Sequence, residues 1–130
     1  MYVLDTNTLI YFFKGTGMVA THLLGKSPKD IAIPSIVLYE LEVGIAKSNS
    51  ARKRTEQLHD FISLTTILPF RYPEAKQAAG IRVGLESQGT PIGPYDILIA
   101  ATAMSNDGIL VTHNTREFER IVDLRLEDWY

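Results

Sequence analysis

Four short apolar runs limit what this chain can fold into. Tyr2-Val3-Leu4, Ile31-Ala32-Ile33, Thr65-Thr66-Ile67-Leu68 and Ile109-Leu110-Val111 are too brief for helices, and their aliphatic and β-branched content suits buried strands. Segments of helical character lie between them. The alternation predicts an α/β fold with a mainly parallel central sheet, helices on both faces and right-handed crossovers. Leu124-Arg125-Leu126 reads as a further small edge strand.

The intervening helices follow from turn and cap residues. Leu9 to Phe13 restarts an apolar pattern after Thr6-Asn7-Thr8, and Met18 to Lys26 forms a second short helix. Pro34, suited to a helix start, opens a helix through Lys47. Ala51 to Ser63 is amphipathic through Leu58, Phe61 and Ile62. Pro73 to Gln88 is expected to turn Ala75, Ala78, Ala79, Val83 and Leu85 inward. Pro94 to Ser105 is apolar nearly all round, which marks a buried helix, and a short helical turn falls within Thr112 to Arg120.

The acids on this scaffold do not suit a core. Asp5 sits where the first strand stops and the first helix begins, and ligands of open parallel sheets bind at carboxyl ends of strands. Taken alone, Asp5 also reads as a helix N-cap. In the helix after Pro34, Glu40 has Ile36 and Val43 on one side and Val37 and Gly44 on the other, so the wheel favours it over Glu42 as the half-buried acid. Asp96 is the exception in the apolar Pro94 helix. A first-turn Asp is favoured there by the helix dipole, by about 0.3–1 kcal/mol, but the loop Gly89-Thr90-Pro91-Ile92-Gly93 before it is built for close backbone approach. Thr112, Asn114 and Glu117 follow the last buried strand and are hydrogen-bonding or metal-ligand types. Hard cations such as Mg²⁺ or Mn²⁺ take oxygen ligands. Asp5, Glu40 and Asp96, with Asn114 or Glu117, would supply them from four segments, and a bound cation could then activate water for phosphodiester cleavage.

Composition narrows the setting. A length of 130 residues predicts one domain, residues 1–130, with a real core. No apolar run approaches a membrane span, and Met1-Tyr2 leads straight into a strand, so neither a signal peptide nor a membrane association is expected. The absence of cysteine removes disulfides and Cys-bound zinc, in keeping with a cytoplasmic setting. The net charge is −2. With Asp5, Glu40, Asp96 and Glu117 set aside, the 13 basic residues outnumber the rest of the 15 acids by two. Lys47 and Arg52-Lys53-Arg54 could solvate a helix start or grip RNA phosphates. His22 and His59 read as helix-surface residues, and Arg82 as a counter-charge for the acids.

LDTNTLIYF at Leu4–Phe12, IPSIVLYELEVG at Ile33–Gly44, GTPIGPYDILIAATA at Gly89–Ala103, LVTHNTREFERI at Leu110–Ile121 and LEDW at Leu126–Trp129 together resemble the PIN domain, and more closely the VapC ribonuclease toxins of type II toxin–antitoxin modules. The resemblance covers essentially the whole chain. It implies a PIN-type three-layer sandwich around a five-stranded parallel sheet. It implies an Mg²⁺- or Mn²⁺-dependent endoribonuclease of RNA, in a family whose members act on transfer or ribosomal RNA, with a VapB-like antitoxin and usually a homodimer. Asp5 and Asp96 fall on the family's metal-binding aspartates and Glu40 on its middle acid. The fourth role lies between Asn114 and Glu117, where many relatives carry Asp. Thr6 and Thr112 fall on supporting hydroxyl positions, and Asn7 follows a D-x-N pattern that ties the strand-1 turn.

Other α/β proteins of this size fit less well. A response-regulator receiver needs an Asp after the third strand and a Lys after the last buried one, and Leu68-Pro69-Phe70 and Thr112-His113-Asn114 lack them. A dehalogenase-type phosphatase needs a general acid where Asn7 stands. A non-catalytic PIN-like RNA-binding or scaffold module is the alternative from another class; it would normally have lost one of the three acids.

Overall fold

A computed structural model describes all residues, 1–130. The strands are β1 (Tyr2–Leu4), β2 (Ile31–Pro34), β3 (Thr66–Leu68), β4 (Ile109–Val111) and β5 (Arg125–Glu127). The helices are α1 (Thr6–Lys14), α2 (Val19–Leu24), α3 (Ser35–Ala46), α4 (Ala51–Ile62), α5 (Tyr72–Ser87), α6 (Pro94–Ser105) and the single turn α7 (Thr115–Phe118). The five strands form one sheet in the order β3-β2-β1-β4-β5, every pair parallel. This is the α/β class expected, with β5 shifted one residue along from the expected edge strand.

Burial shows why the sheet is covered on both faces. Successive strand residues point to opposite faces, and Val3, Leu4, Ala32, Ile33, Leu110 and Val111 are all 0% exposed. The edges differ: Thr66 and Ile67 of β3 are exposed and only Leu68 is buried. A buried core of 21 residues surrounds the central strands, and a smaller one, Ala78, Ile97 and Ala101, joins α5 to α6.

Sequence order and sheet order part company at β1. The chain runs outward from β1 through β2 to β3, then returns to the other side for β4 and β5. Neighbouring connections therefore leave the carboxyl ends of β1 and β4 in opposite directions, which opens a crevice there.

Two expectations for α5 need correction. Its buried residues are Glu74, Ala78 and Leu85, while Ala75 and Ala79 are exposed and Val83 is 66% exposed. The buried stripe runs through Glu74, whose Oε1 accepts from the Arg71 N–H at 3.4 Å in a capping box, so the helix is rotated from the all-alanine face. Arg82 also turns outward and pairs with Glu86 at 3.0 Å on the surface. It does not serve the acids as a counter-charge.

The last residues close one end of the sheet. Trp129 is 2% exposed, and its Nε1 donates to Glu127 Oε1 at 2.9 Å. Its ring lies 5.3 Å from that of Tyr2 and stacks on the exposed His22 at 5.7 Å. The Met18 N–H donates to the Tyr130 carbonyl at 2.6 Å. Gly17 has φ 66°, and a Cβ there would meet that carbonyl at 2.8 Å, so this close approach requires glycine. Replacing Trp129 by Ala should lower stability by about 3–5 kcal/mol. Urea denaturation followed by far-ultraviolet circular dichroism measures this, and a loss below about 1 kcal/mol would show the tail to be dispensable.

Candidate active site

Asp5 is the best-anchored acid of the crevice. Its N–H continues the β1–β4 ladder to the Val111 carbonyl at 3.0 Å. As N-cap of α1, its Oδ1 accepts from the Thr6 N–H at 2.8 Å. Its Oδ2 accepts from Thr112 Oγ1 at 2.8 Å. The helix begins at Thr6, three residues before the apolar pattern restarts, because the Asp5 cap starts it there. Only 5% of Asp5 is exposed.

Thr112 is held from two directions. Its N–H donates to the Glu127 carbonyl at 2.9 Å, extending the β4–β5 ladder. Its hydroxyl gives its proton to Asp5 and accepts from the Asn114 N–H at 3.0 Å. The Asn114 side-chain amide then donates to Glu117 Oε2 at 3.1 Å. A continuous chain of bonds thus runs from Asp5 to Glu117. On the other side, Thr6 Oγ1 donates to Glu40 Oε1 at 2.7 Å, which links α1 to the half-buried acid of α3. Glu42 is exposed.

Asp96 is the least comfortable member. It lies in the first turn of α6, half-buried, and a Cβ placed on Gly93 would lie 3.4 Å from its Oδ2. Its pKa is pushed from 3.8 to about 6, first by burial and then by the negative charges of Asp5, Glu117 and Glu40. Burial also raises the Asp5 pKa, opposed by the Thr112 and Thr6 hydrogen bonds and reinforced by Glu40. No ion pair of the chain involves any of these four acids.

The sequence candidates therefore separate. Asp5, Glu40, Asp96 and Glu117 come within electrostatic reach of one another, with Thr6, Thr112 and Asn114 as their hydrogen-bonding supports. Of Asn114 and Glu117, only the latter brings charge to Asp96. Asn7 is exposed in the first turn of α1, and its side chain makes no hydrogen bond there, so it does not tie the turn as expected; the Asp5 cap does that. Lys47 caps the end of α3, and the Arg52–Arg54 run lies in the first turn of α4, where Arg52 pairs with Glu56 at 3.5 Å. Two residues escaped the sequence reading: Tyr39 and Tyr95, each immediately before an acid, meet across α3 and α6 with ring centroids 5.6 Å apart. The only sequence signal was that adjacency.

As a donor set the cluster suits a hard divalent cation: carboxylates alone, with no thiolate or imidazole among them. No three His, Asp or Glu side chains stand close enough to chelate an ion entirely by themselves. Mg²⁺ does not require that, since it keeps several waters and takes one or two carboxylates directly.

Known proteins resemble this chain along nearly its whole length. The PIN domain family matches residues 2–124. The tRNA(fMet)-specific endonuclease VapC of Salmonella typhimurium is 38% identical over 128 residues, covering 98% of this chain and 97% of that protein. Ribonuclease VapC2 of Haemophilus influenzae is 38% identical over the same length and shares. Among solved structures, VapBC2 from Rickettsia felis bound to a DNA fragment from its promoter superposes with a TM-score of 0.92 at 36% identity, covering 99% of this chain and 98% of that one. DNA-bound VapBC from Salmonella typhimurium gives 0.92 at 37% identity, with the same coverage. Built on the PIN sheet order and matched along nearly its whole length by VapC ribonucleases, the chain belongs to the VapC family of PIN-domain proteins.

Proposed function

We propose that this protein is an Mg²⁺- or Mn²⁺-dependent endoribonuclease, the toxin of a toxin–antitoxin pair. The observation that carries this is the convergence of four acids from four segments, without a basic partner, at the carboxyl ends of β1 and β4. Structure alone rarely tolerates such repulsion; a site that receives a cation does.

In this reading Asp5 and Asp96 hold the cation, and Glu40 and Glu117 orient its waters. When bound, the cation would lower the pKa of a coordinated water and offset charge developing on the phosphate. The chain's own part is placement. Thr112 and the α1 N-terminus fix the Asp5 carboxylate in direction and oppose the burial that raises its pKa. Thr6 aims Glu40, and Asn114 aims Glu117. Half-buried Asp96 keeps its proton up to about pH 6, and a cation would ease its release. The substrate is RNA; the relative named for initiator transfer RNA makes a transfer RNA the first substrate to try.

The partner is a VapB-like antitoxin, as in the complexes of the structural neighbours. A groove of about 300 Å³ between α1, α3 and α4 is lined by Ile10, Phe13, Leu41, Ile45 and Leu58, with Lys14, Glu40 and Arg54 as its charged members. It suits the apolar face of a short amphipathic segment that could bring a basic side chain to the acids. Phe12 and Phe13 both pack on Phe61, with ring centroids 5.5–5.9 Å away. The protein would assemble further as a homodimer. No helix is long and apolar enough to cross a membrane.

The direct test is cleavage of transfer RNA with and without metal. EDTA should abolish it and Mg²⁺ or Mn²⁺ restore it, while Asp96→Asn loses at least about 100-fold in rate. Full activity in EDTA would overturn the metal mechanism. Mg²⁺ at about 100 times its dissociation constant should stabilise the wild type by roughly 2.7 kcal/mol and the Asn variant much less.

The raised pKa of Asp96 gives a second test, on metal-free protein. A folded pKa above the unfolded one means that the fold binds the proton more tightly. The associated stability is complete below pH 3.8 and is lost as pH rises to about 6. Asp5 contributes with the same sign. Melting of wild type and Asp96→Asn across this window should therefore show the variant gaining on the wild type as pH rises. Parallel curves would mean that Asp96 is no part of a repelling cluster.

The groove gives a third. Ile45→Glu, a charge on its apolar wall, should weaken antitoxin binding at least tenfold (about 1.4 kcal/mol) and leave cleavage intact. Titration of purified antitoxin into the ribonuclease assay measures both, and unchanged inhibition would place the antitoxin elsewhere.

A further inference from the structure

We propose that Tyr39 and Tyr95 form an aromatic shelf on which an unpaired base of the RNA substrate stacks while its phosphate lies at the acids. The proposal rests on the ribonuclease reading and names how that site holds its substrate.

Placement is the first support. Tyr39 precedes Glu40 on α3, and Tyr95 precedes Asp96 in the first turn of α6. The two rings are therefore fixed to the backbone that carries two of the four acids. They meet at 62° in a T-shaped contact, with hydroxyls 3.5 Å apart. Each orients the other, yet Tyr39 stays 52% and Tyr95 44% exposed. The contact leaves much of both rings open to solvent beside a polar site. Pre-oriented, solvent-exposed rings of this kind are what single-stranded RNA binders use to receive splayed bases.

Charge is the second support. Phosphate backbone is ordinarily gripped by Lys and Arg. Here Asp5, Glu40, Asp96 and Glu117 set a negative field, Arg82 and Arg52 pair with surface glutamates, and Lys14 and Arg54 lie in the α1–α3–α4 groove without pairing to the acids. Beside four acids, a strand gains little from Coulomb attraction except through a cation. An uncharged base on an uncharged ring gains affinity without opposing that field. A base in a duplex is already stacked and cannot use the shelf, so the occupant is a nucleotide in a loop or unpaired strand.

The competing role is mechanical: the pair could clamp α3 to α6 and so keep Glu40 and Asp96 in register. Binding and turnover separate the two. A fluorescent single-stranded oligoribonucleotide is titrated in Mg²⁺ against the Asp96→Asn protein carrying Tyr39→Leu, Tyr95→Leu or both rings changed to Phe. Each Leu change should weaken binding roughly 5- to 100-fold, and the Phe pair should bind as the parent does, because stacking needs the ring and not the hydroxyl. The ratio should persist as salt is raised, unlike that of a phosphate contact. In the otherwise wild-type protein, the Leu changes should raise KM and leave kcat nearly unaltered. Equal RNA binding by the Leu variants overturns the shelf, whether or not they lose antitoxin or self-association. A fall in kcat at unchanged KM overturns it in favour of the clamp. Absence of Mg²⁺-dependent cleavage by the parent protein would sink the ribonuclease reading instead, and the binding titration would still judge the shelf.

Discussion

The hydrogen bond from Thr112 to Asp5 joins positions 107 residues apart, and the site is arranged around it. It crosses the one place in the sheet where chain order reverses, between β1 and β4. A carboxylate at that point would be free to swing into the crevice. The Thr112 hydroxyl on one oxygen and the α1 N-terminus on the other prevent this. Both bonds favour the ionised form against a burial that opposes it. Thr112 itself is positioned by the β5 ladder through Glu127, so the edge strand, at the other end of the chain from Asp5, helps set the direction of that carboxylate. The Trp129 tail then fastens that edge to Tyr2 at the start of β1.

Around this fixed point the remaining acids are graded. Asp5 is buried and bonded on both oxygens; Glu40 is half-buried with one hydroxyl donor; Glu117 has one amide donor; Asp96 faces the others with charge of its own sign. Folding brings these groups together against their repulsion, and no Arg or Lys pairs with any of them, although Lys14 and Arg54 line the groove that Glu40 shares. Strain of this kind persists where the rest of the fold over-determines the geometry. Here the surplus comes from central strands whose Val3, Leu4, Leu110 and Val111 are fully buried, and from α6, buried through Ile97 and Ile99 to Ala103. The asymmetry among the acids also divides labour: Asp5 is held in direction by two hydrogen bonds, while Asp96 faces three like charges.

Most of the frame could be read from residues because period and punctuation agreed. Three-residue apolar runs bounded by turn residues became β1, β2 and β4, and an apolar helix with one early Asp became α6. Glu40 and Glu42 were separable because α3 has flanking aliphatic positions to compare. In α5, Ala and Gly recur on every face, so periodicity had no contrast, and the burial of Glu74 depended on a bond back to Arg71 that no pattern announces. Arg82 was misplaced for the same reason, its helix face being undetermined. The choice between Asn114 and Glu117 rested on two residues three apart on one turn. Their mutual hydrogen bond makes them one unit, so the question as posed in sequence had no single answer. Tyr39 and Tyr95, 56 positions apart, become a pair only through the packing of α3 on α6.

That pairing bears on how a protein of net charge −2 could act on a polyanion. Net charge governs approach over a Debye length, about 8 Å at physiological salt, and by that measure the chain is nearly indifferent to RNA. Within the crevice the four acids make the field locally repulsive, and only a divalent cation inverts it. Attraction for phosphate would then exist at one point, where it is needed for chemistry, and not along an extended basic track. Affinity for the rest of the nucleotide has to come from contacts blind to charge. Aromatic rings anchored beside Glu40 and Asp96 meet that requirement, and their fixed offset from the acids would convert recognition of a base into placement of the adjoining phosphate. A basic groove would hold many RNAs equally. A point of positive charge beside a stacking surface selects strands that are already unpaired there, which is how specificity for a structured RNA's loop can arise in a site with no sequence-reading side chains.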